Sequence, residues 1–275
     1  MVRPMAPKLQ RADGRLCLNF RHRVTGPYAH TQFQEGAAKV RLPKVEGAGP
    51  PEAVLINTAG GLTGGDTFTV DVTCEAKAAA TLTSQASEKV YRSLGNDAVI
   101  RTSLTVNAHA ALEWLPQETI LFHGGRLRRE ITVRLAKNAT FLGVESVVFG
   151  RTAMGETVRE GALHERWRLY RQSDLLFADD THLEGNIAAQ INRPFVAKGH
   201  RANATLLYVA PDAEDMAQQI QNAPSTGGGM FSASARDGLM VARFLNVTGQ
   251  KLRGDLTFVL GLIRSGRPLP KVWSC

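Results

Sequence analysis

The sequence predicts a mainly β chain of stacked strand units around one continuous core, with two α-helices near its C-terminus. Three observations lead there. Apolar and polar residues alternate in segment after segment of the first two-thirds. Short turns of small and polar residues return about every thirty residues, a spacing that marks stacked repeats. Helical spacing of apolar residues appears only after Pro211.

The alternation is clearest from Phe68, where Phe68, Val70, Val72 and Cys74 fall on one face and Thr69, Asp71 and Thr73 on the other. A period of two is the pattern of a half-buried strand. It returns at Ile100, Leu104 and Val106, and again at Leu127, Ile131, Val133 and Leu135, opposite Arg126, Arg128, Glu130 and Arg134. Each strand runs into a turn (Glu75–Ala78, Asn107–Ala110, Ala136–Ala139) and a second short strand (Thr81–Thr83, Leu112–Trp114, Phe141–Gly143). The units therefore read as stacked hairpins. Further strands are expected at Leu163–Tyr170, Leu175–Asp179 and Ala202–Val209.

The first helix is expected from Pro211-Asp212 into Met216–Asn222, with Asp212, Glu214 and Asp215 suiting its positive N-terminal end. The second is expected over Gln250–Ser265. There Leu252, Leu256, Val259, Leu260 and Ile263 make one apolar stripe, to complete the core or to meet a helical partner. Ser225–Gly229 reads as a flexible loop. No linker is apparent, so residues 1–275 are expected to form a single domain.

The 275 residues suffice for a well-buried core. Net charge is +8, which attracts acidic partners. It also raises a nucleic-acid-binding module as an alternative, but the basic residues are spread and no run of five Lys/Arg occurs. Cys17, Cys74 and Cys275 are far apart and odd in number, so reduced thiols are expected rather than a disulfide framework or a zinc site. The N-terminus lacks an apolar signal region and no stretch reaches the length of a membrane-spanning helix. Neither membrane nor nucleic acid is an expected partner, and the expected compartment is the cytoplasm.

Three segments draw attention as chemistry. Asn57–Asp66 is glycine-rich, but a Walker A loop needs Lys and Ser/Thr where Asp66 stands, and a dinucleotide loop needs a following helix where a strand is expected. The plain alternative is two tight turns with Asp66 capping the second. Ser84–Arg92 holds Ser87, Glu88 and Lys89, open to a small-molecule hydrolase reading or to a polar loop with a Glu88–Lys89 pair. Leu112–Phe122 sets Glu113 and Glu118 inside an apolar run, as does Glu145 in Phe141–Gly150. A buried carboxylate is costly unless paired or bound to a cation. Such residues either reach water at an edge or line an internal polar surface. The seven histidines are scattered without HxH or HExxH spacing, and no nucleophile–base set can be assembled.

Taken in order, NTAGGLTGGD (57–66), EKVYR (88–92), LEWLPQETILF (112–122), FLGVESVVFG (141–150) with Arg151 and Gly155-Glu156, and the ending Pro270–Trp273 resemble the urease accessory protein family UreD, or UreH in some organisms. One departure is His123, where the resemblance implies an acidic residue. The resemblance implies a mostly β fold of β-helix-like arrangement with two helices, and a protein with no enzymatic activity. It implies binding to the urease apoprotein and to UreF, which recruits the GTPase UreG. It also implies no tightly held cofactor, and nickel(II) in transit through an internal tunnel. On that reading Asp66, Ser87, Glu88, Glu113, Glu118, Glu145 and Asp180 are candidate weak transit ligands. Oxygen donors hold nickel less tightly than imidazole or thiolate, and a row of weak sites favours passage over storage. Asp180, just after the strand at Leu175–Asp179, is expected at a rim, and the tail through Trp273 with the loop at Gly227–Gly229 is expected to meet UreF.

Overall fold

A computed structural model describes residues 10–23, 26–44, 49–151 and 154–274. In chain order the strands are β1 (Asp13–Arg23), β2 (Gly26–Gly36), β3 (Ala38–Arg41), β4 (Glu52–Asn57), β5 (Thr67–Cys74), β6 (Ala79–Ser84), β7 (Glu88–Val90), β8 (Ala98–Val106), β9 (Ala111–Leu115), β10 (Thr119–Leu121), β11 (Arg126–Leu135) and β12 (Thr140–Phe149). There follow β13 (Ala162–Arg171), β14 (Asp174–Glu184), helix α1 (Ile187–Ile191), β15 (Ala202–Val209), α2 (Ala213–Gln221), β16 (Met230–Arg236), β17 (Leu239–Asn246) and α3 (Gly249–Ile263).

Two sheets hold the core between them. One has the order β14-β13-β11-β8-β5-β1-β2, the other β16-β17-β15-β12-β9-β6-β4-β3. Within the first, β1, β5, β8, β11 and β13 are parallel. Within the second, β4, β6, β9 and β12 are parallel. A third, short parallel ladder joins β7, β10 and the end of β12. The mainly β, β-helix-like arrangement with helices near the C-terminus is thus the one observed.

The expected units are real, but they are not hairpins. The two strands of a unit do not pair with each other: β5 pairs β8 and β1, whereas β6 pairs β9 and β4. The turn carries the chain across from one sheet to the other, an arch rather than a hairpin. Alternation tells which side chains are buried but not which strand lies alongside, and these turns lack the Asn-Gly or Asp-Gly pair that closes a tight hairpin. Their small residues have another use. Ala78, Ala110 and Ala139 are buried at the narrow ends of the core. Lys77 and His109 take the left-handed conformation, at φ 64° and 60°. Successive arches continue the ladder, with Lys77 N donating to Ala108 O at 3.0 Å and Thr140 N to Ala110 O at 3.0 Å. His109 is thereby accounted for as a turn residue.

Outside the second sheet lie α2 and α3. Thr248 caps α3, accepting from Lys251 N at 3.3 Å. Leu252, Leu256, Val259, Leu260 and Ile263 are all buried, against Leu142, Val144, Leu206 and Phe244 of the sheet. The stripe is spent on the core. Asp255, buried on the same helix, accepts from Ser225 Oγ (3.0 Å), Thr226 Oγ1 (3.3 Å), Gly227 N (2.5 Å) and Asn246 Nδ2 (2.9 Å). The loop expected to be flexible is pinned at its start. Asp255→Ala leaves the buried Asn246 amide and the less buried donors of Ser225, Thr226 and Gly227 unmatched, at a cost of about 3 kcal/mol. It should expose the Gly227 amide to rapid hydrogen exchange, and unchanged protection there would refute the pin.

No helix among the described residues is long and apolar enough to cross a membrane, which leaves strand-built spans unaddressed. Cys17 and Cys74 are free thiols, and Cys275 lies outside the described residues.

Candidate functional site

The inner face of the first sheet is mostly apolar up to β11. Along one column the cross-strand neighbours are Phe68, Ile100, Arg129 and Glu165. Two hydrophobic rungs thus give way to a buried ion pair. Arg129 projects between the sheets and meets Glu145 from β12. Its Nη1 lies 2.6 Å from Glu145 Oε2 and donates to Thr119 Oγ1 at 2.8 Å. Its Nε donates to Glu165 at 2.9 Å, and its Nη2 also contacts that carboxylate. The second oxygen of each carboxylate accepts from an indole: Trp114 Nε1 to Glu145 at 2.8 Å and Trp167 Nε1 to Glu165 at 3.3 Å.

Two buried carboxylates share one buried guanidinium. Burial pushes the Glu145 carboxyl up to about 6, despite the opposing Arg129 charge, and the neighbouring Glu165 adds to the rise. Burial also works against the Arg129 charge, but Glu145 and Glu165 outweigh it and hold the guanidinium above its ordinary value.

Cavities reach this cluster from two sides. One of about 210 Å³ is lined by Asn57, Ser87, Glu88, Thr102, Arg129 and Glu145 among others. Another of about 250 Å³ is lined by Glu165, Thr181, Asn203, Thr205 and Arg243 among others. In the first cavity Glu88 accepts from the Asn57 side-chain amide, Nδ2 lying 3.1 and 3.2 Å from its two oxygens. Burial, set against that bond, raises the Glu88 carboxyl to about 7. Ser87 Oγ donates to Glu118 at 2.8 Å, so these two are joined through adjacent rungs.

The other expected residues lie elsewhere. Glu113 is on the outer face of the second sheet, where it accepts from Thr81 Oγ1 at 2.7 Å and pairs with Arg264 Nη2 at 3.2 Å and with Arg267. A separate cavity of about 450 Å³ adjoins it beneath the C-terminal tail, lined by Thr81, Glu52, Arg264 and Arg267 among others. Asp66 is the turn cap: its two oxygens accept from Ala12 N at 2.9 Å and Thr63 N at 2.8 Å. Asp180 is not at the end of a strand. It stands within β14, which runs to Glu184, and binds Arg168 Nη2 at 2.6 Å with Arg166 and His164 close by, in a half-exposed ion-pair group. The strand continues past Asp179 because β13 alongside supplies Arg166 and Arg168 as counter-charges to Asp180.

The segment LEWLPQE becomes legible as a two-sided strand. Trp114 points inward to Glu145. Glu113, the Leu115 carbonyl and Gln117 face the tail, with Trp273 Nε1 donating to Leu115 O at 3.1 Å and Arg253 Nη1 to Gln117 Oε1 at 2.8 Å. The tail is thus folded on the body, with Trp273 buried. Gly61 and Gly64 of NTAGGLTGGD serve close packing. A Cβ on Gly61 would overlap the Tyr91 ring, and one on Gly64 would overlap the Ser93 hydroxyl and the Asn96 carbonyl.

Arg129, Glu165, Asp255 and Arg264 escaped the sequence reading. The available signal for the first was a charge on the apolar phase of a strand, since Arg129 follows Leu127 and precedes Ile131 at even spacing. Among the described residues no group of three or more His, Cys, Asp or Glu is arranged to hold a metal ion.

A family model described as UreD urease accessory protein matches residues 12–274. A urease accessory protein UreD of Azorhizobium caulinodans is 43% identical over 270 residues, covering 98% of each chain. One from Rhizobium leguminosarum bv. trifolii is 42% identical over 274 residues, 100% of this chain and 99% of its own. One from a Methylobacterium species is 43% identical over 276 residues, 98% and 97% of the two chains. The chain belongs to the UreD urease accessory protein family.

Proposed function

We propose that this protein is a non-catalytic scaffold of urease maturation in the cytoplasm. On this reading it joins UreF, the GTPase UreG and the urease apoprotein, and passes nickel(II) through its interior. The supporting observation is the surplus carboxylate in the core, Glu145 and Glu165 against Arg129, with a cavity on either side. Such a cluster costs stability compared with apolar packing, so its presence asks for a role beyond folding. Ser87, Glu88, Glu118 and Glu145 offer oxygen donors, which suit a cation that must be released again. Glu113, Asp66 and Asp180 are assigned to structural roles instead, by the partners that already occupy them. The +8 charge suits docking to acidic surfaces.

Glu145→Ala is the test. Arg129 keeps Glu165 as counter-charge, so the chain should fold and the complex with UreF, UreG and apo-urease should assemble. Nickel in the matured urease, measured by elemental analysis, should fall. Glu145→Leu should lower it further by narrowing the passage as well as removing a ligand. Full nickel content in urease matured by Glu145→Ala and by Glu88→Ala/Glu145→Ala would sink the conduit.

A further inference from the structure

We infer that Arg129 is an internal gate, and that the place its guanidinium fills between Glu145 and Glu165 is a closed site for a divalent cation. The inference rests on the conduit reading and deepens it. Glu145 adjoins the cavity that also holds Glu88, and Glu165 adjoins the cavity that holds Thr205 and Arg243. The guanidinium bridges the two carboxylates and takes a further bond to Thr119. Arg129 and its salt bridges thus stand between the carboxylate at one cavity and the carboxylate at the other.

Three features fit a gate better than a fixed strut. Arg129 is carried on a long unbranched side chain, and the 210 Å³ cavity on its own side gives it room to turn away. The two carboxylates are each held by an indole N–H, from Trp114 and Trp167, so they stay in position when the guanidinium leaves. The charge balance also selects. Two carboxylates with one guanidinium leave one negative charge, whereas a divalent cation in its place neutralises both. A monovalent ion gains nothing over the arginine it must displace, and a divalent ion does.

The test uses the two indoles as reporters. The chain has three tryptophans, and the third, Trp273, bonds the Leu115 carbonyl on the outer face of the second sheet. In full-length protein labelled at indole nitrogen, Mn(II) is titrated into the wild type, Arg129→Gln and Arg129→Lys. Gln removes the plug, and Lys keeps the charge but lacks the planar fork that spans both carboxylates. Should Arg129→Gln not fold without metal, the Arg129→Lys spectrum carries the result. The expected result is loss of the Trp114 and Trp167 signals in the variants, at Mn(II) concentrations that leave Trp273 sharp and leave the wild type unchanged. Ni(II) at the same concentration, added first, should prevent Mn(II) from raising relaxation at those two indoles further. Two outcomes overturn the gate: both signals persisting in a folded variant, or the wild type losing them as readily as the variants. Persisting signals together with low nickel in Glu145→Ala remove the gate and keep the conduit. Lost signals with full nickel in Glu145→Ala remove the conduit and leave Arg129 guarding a cation site.

Discussion

Glu113→Ala should be among the most destabilising single changes outside the apolar core. The carboxylate holds Arg264, whose side chain is 2% exposed, and Arg267, which comes from the turn after α3. Its removal leaves the buried Arg264 guanidinium hydrogen-bonded to the carbonyls of Arg267 and Pro268, with Glu52 as the nearby carboxylate. Breaking a buried pair from one side costs about 3–5 kcal/mol, because the remaining charge is uncompensated. For a chain of this size that is on the order of 10 °C in Tm. The tail should loosen with it, since Trp273 and Gln117 secure the same segment. Thermal unfolding followed by circular dichroism gives the first number, and limited proteolysis after Arg264 gives the second. Glu113→Leu/Arg264→Met, which removes both charges, should recover much of the loss. A Tm within 2–3 °C of wild type for Glu113→Ala, which is roughly the shift from 1 kcal/mol, would show that the pair contributes little. The contrast with Glu145 is informative, because Arg129 retains Glu165 when Glu145 is removed.

Glu88→Gln should act in the opposite direction, and only above mildly acidic pH. Burial holds the Glu88 carboxyl at about 7, against an ordinary 4.5. The folded chain therefore binds a proton that the unfolded chain has already lost. Its contribution to stability is complete below pH 4.5 and is lost as pH rises through 7. The substituted amide stays neutral throughout and keeps an oxygen for Asn57, so the variant escapes that loss. At pH 8 it should be more stable by roughly 2–3 kcal/mol, and near pH 5 the two chains should converge. Denaturant unfolding at pH 5, 6, 7 and 8 reads the difference directly. Glu145, raised to about 6, adds a similar decline at lower pH that is present in both chains and cancels. Parallel stability curves for the two chains across this range would refute the assignment.

Local rules reached a long way into this fold. The period-two segments at Phe68–Cys74, Ile100–Val106 and Leu127–Leu135 are strands, because a side chain's face follows from its place in an extended backbone alone. The two late helices follow from their own apolar spacing and, for α3, from the Thr248 cap. The apolar neighbours of Glu113 and Glu145 left open whether these carboxylates reach water at an edge or face a polar interior, and both are buried. What only the tertiary structure decided is who stands opposite. Parallel stacking sets Glu165 beside Arg129 from 36 positions away, and the facing of the two sheets brings Glu145 to the same guanidinium, neighbours that no local periodicity contains. The same is true of Glu113 and Arg264, which lie on elements more than a hundred residues apart. The two carboxylates look alike in sequence, each on an apolar strand. They differ because Glu113 faces the helix layer and Glu145 faces the space between the sheets, and the direction of a side chain decides whether its partner is a latch or a gate.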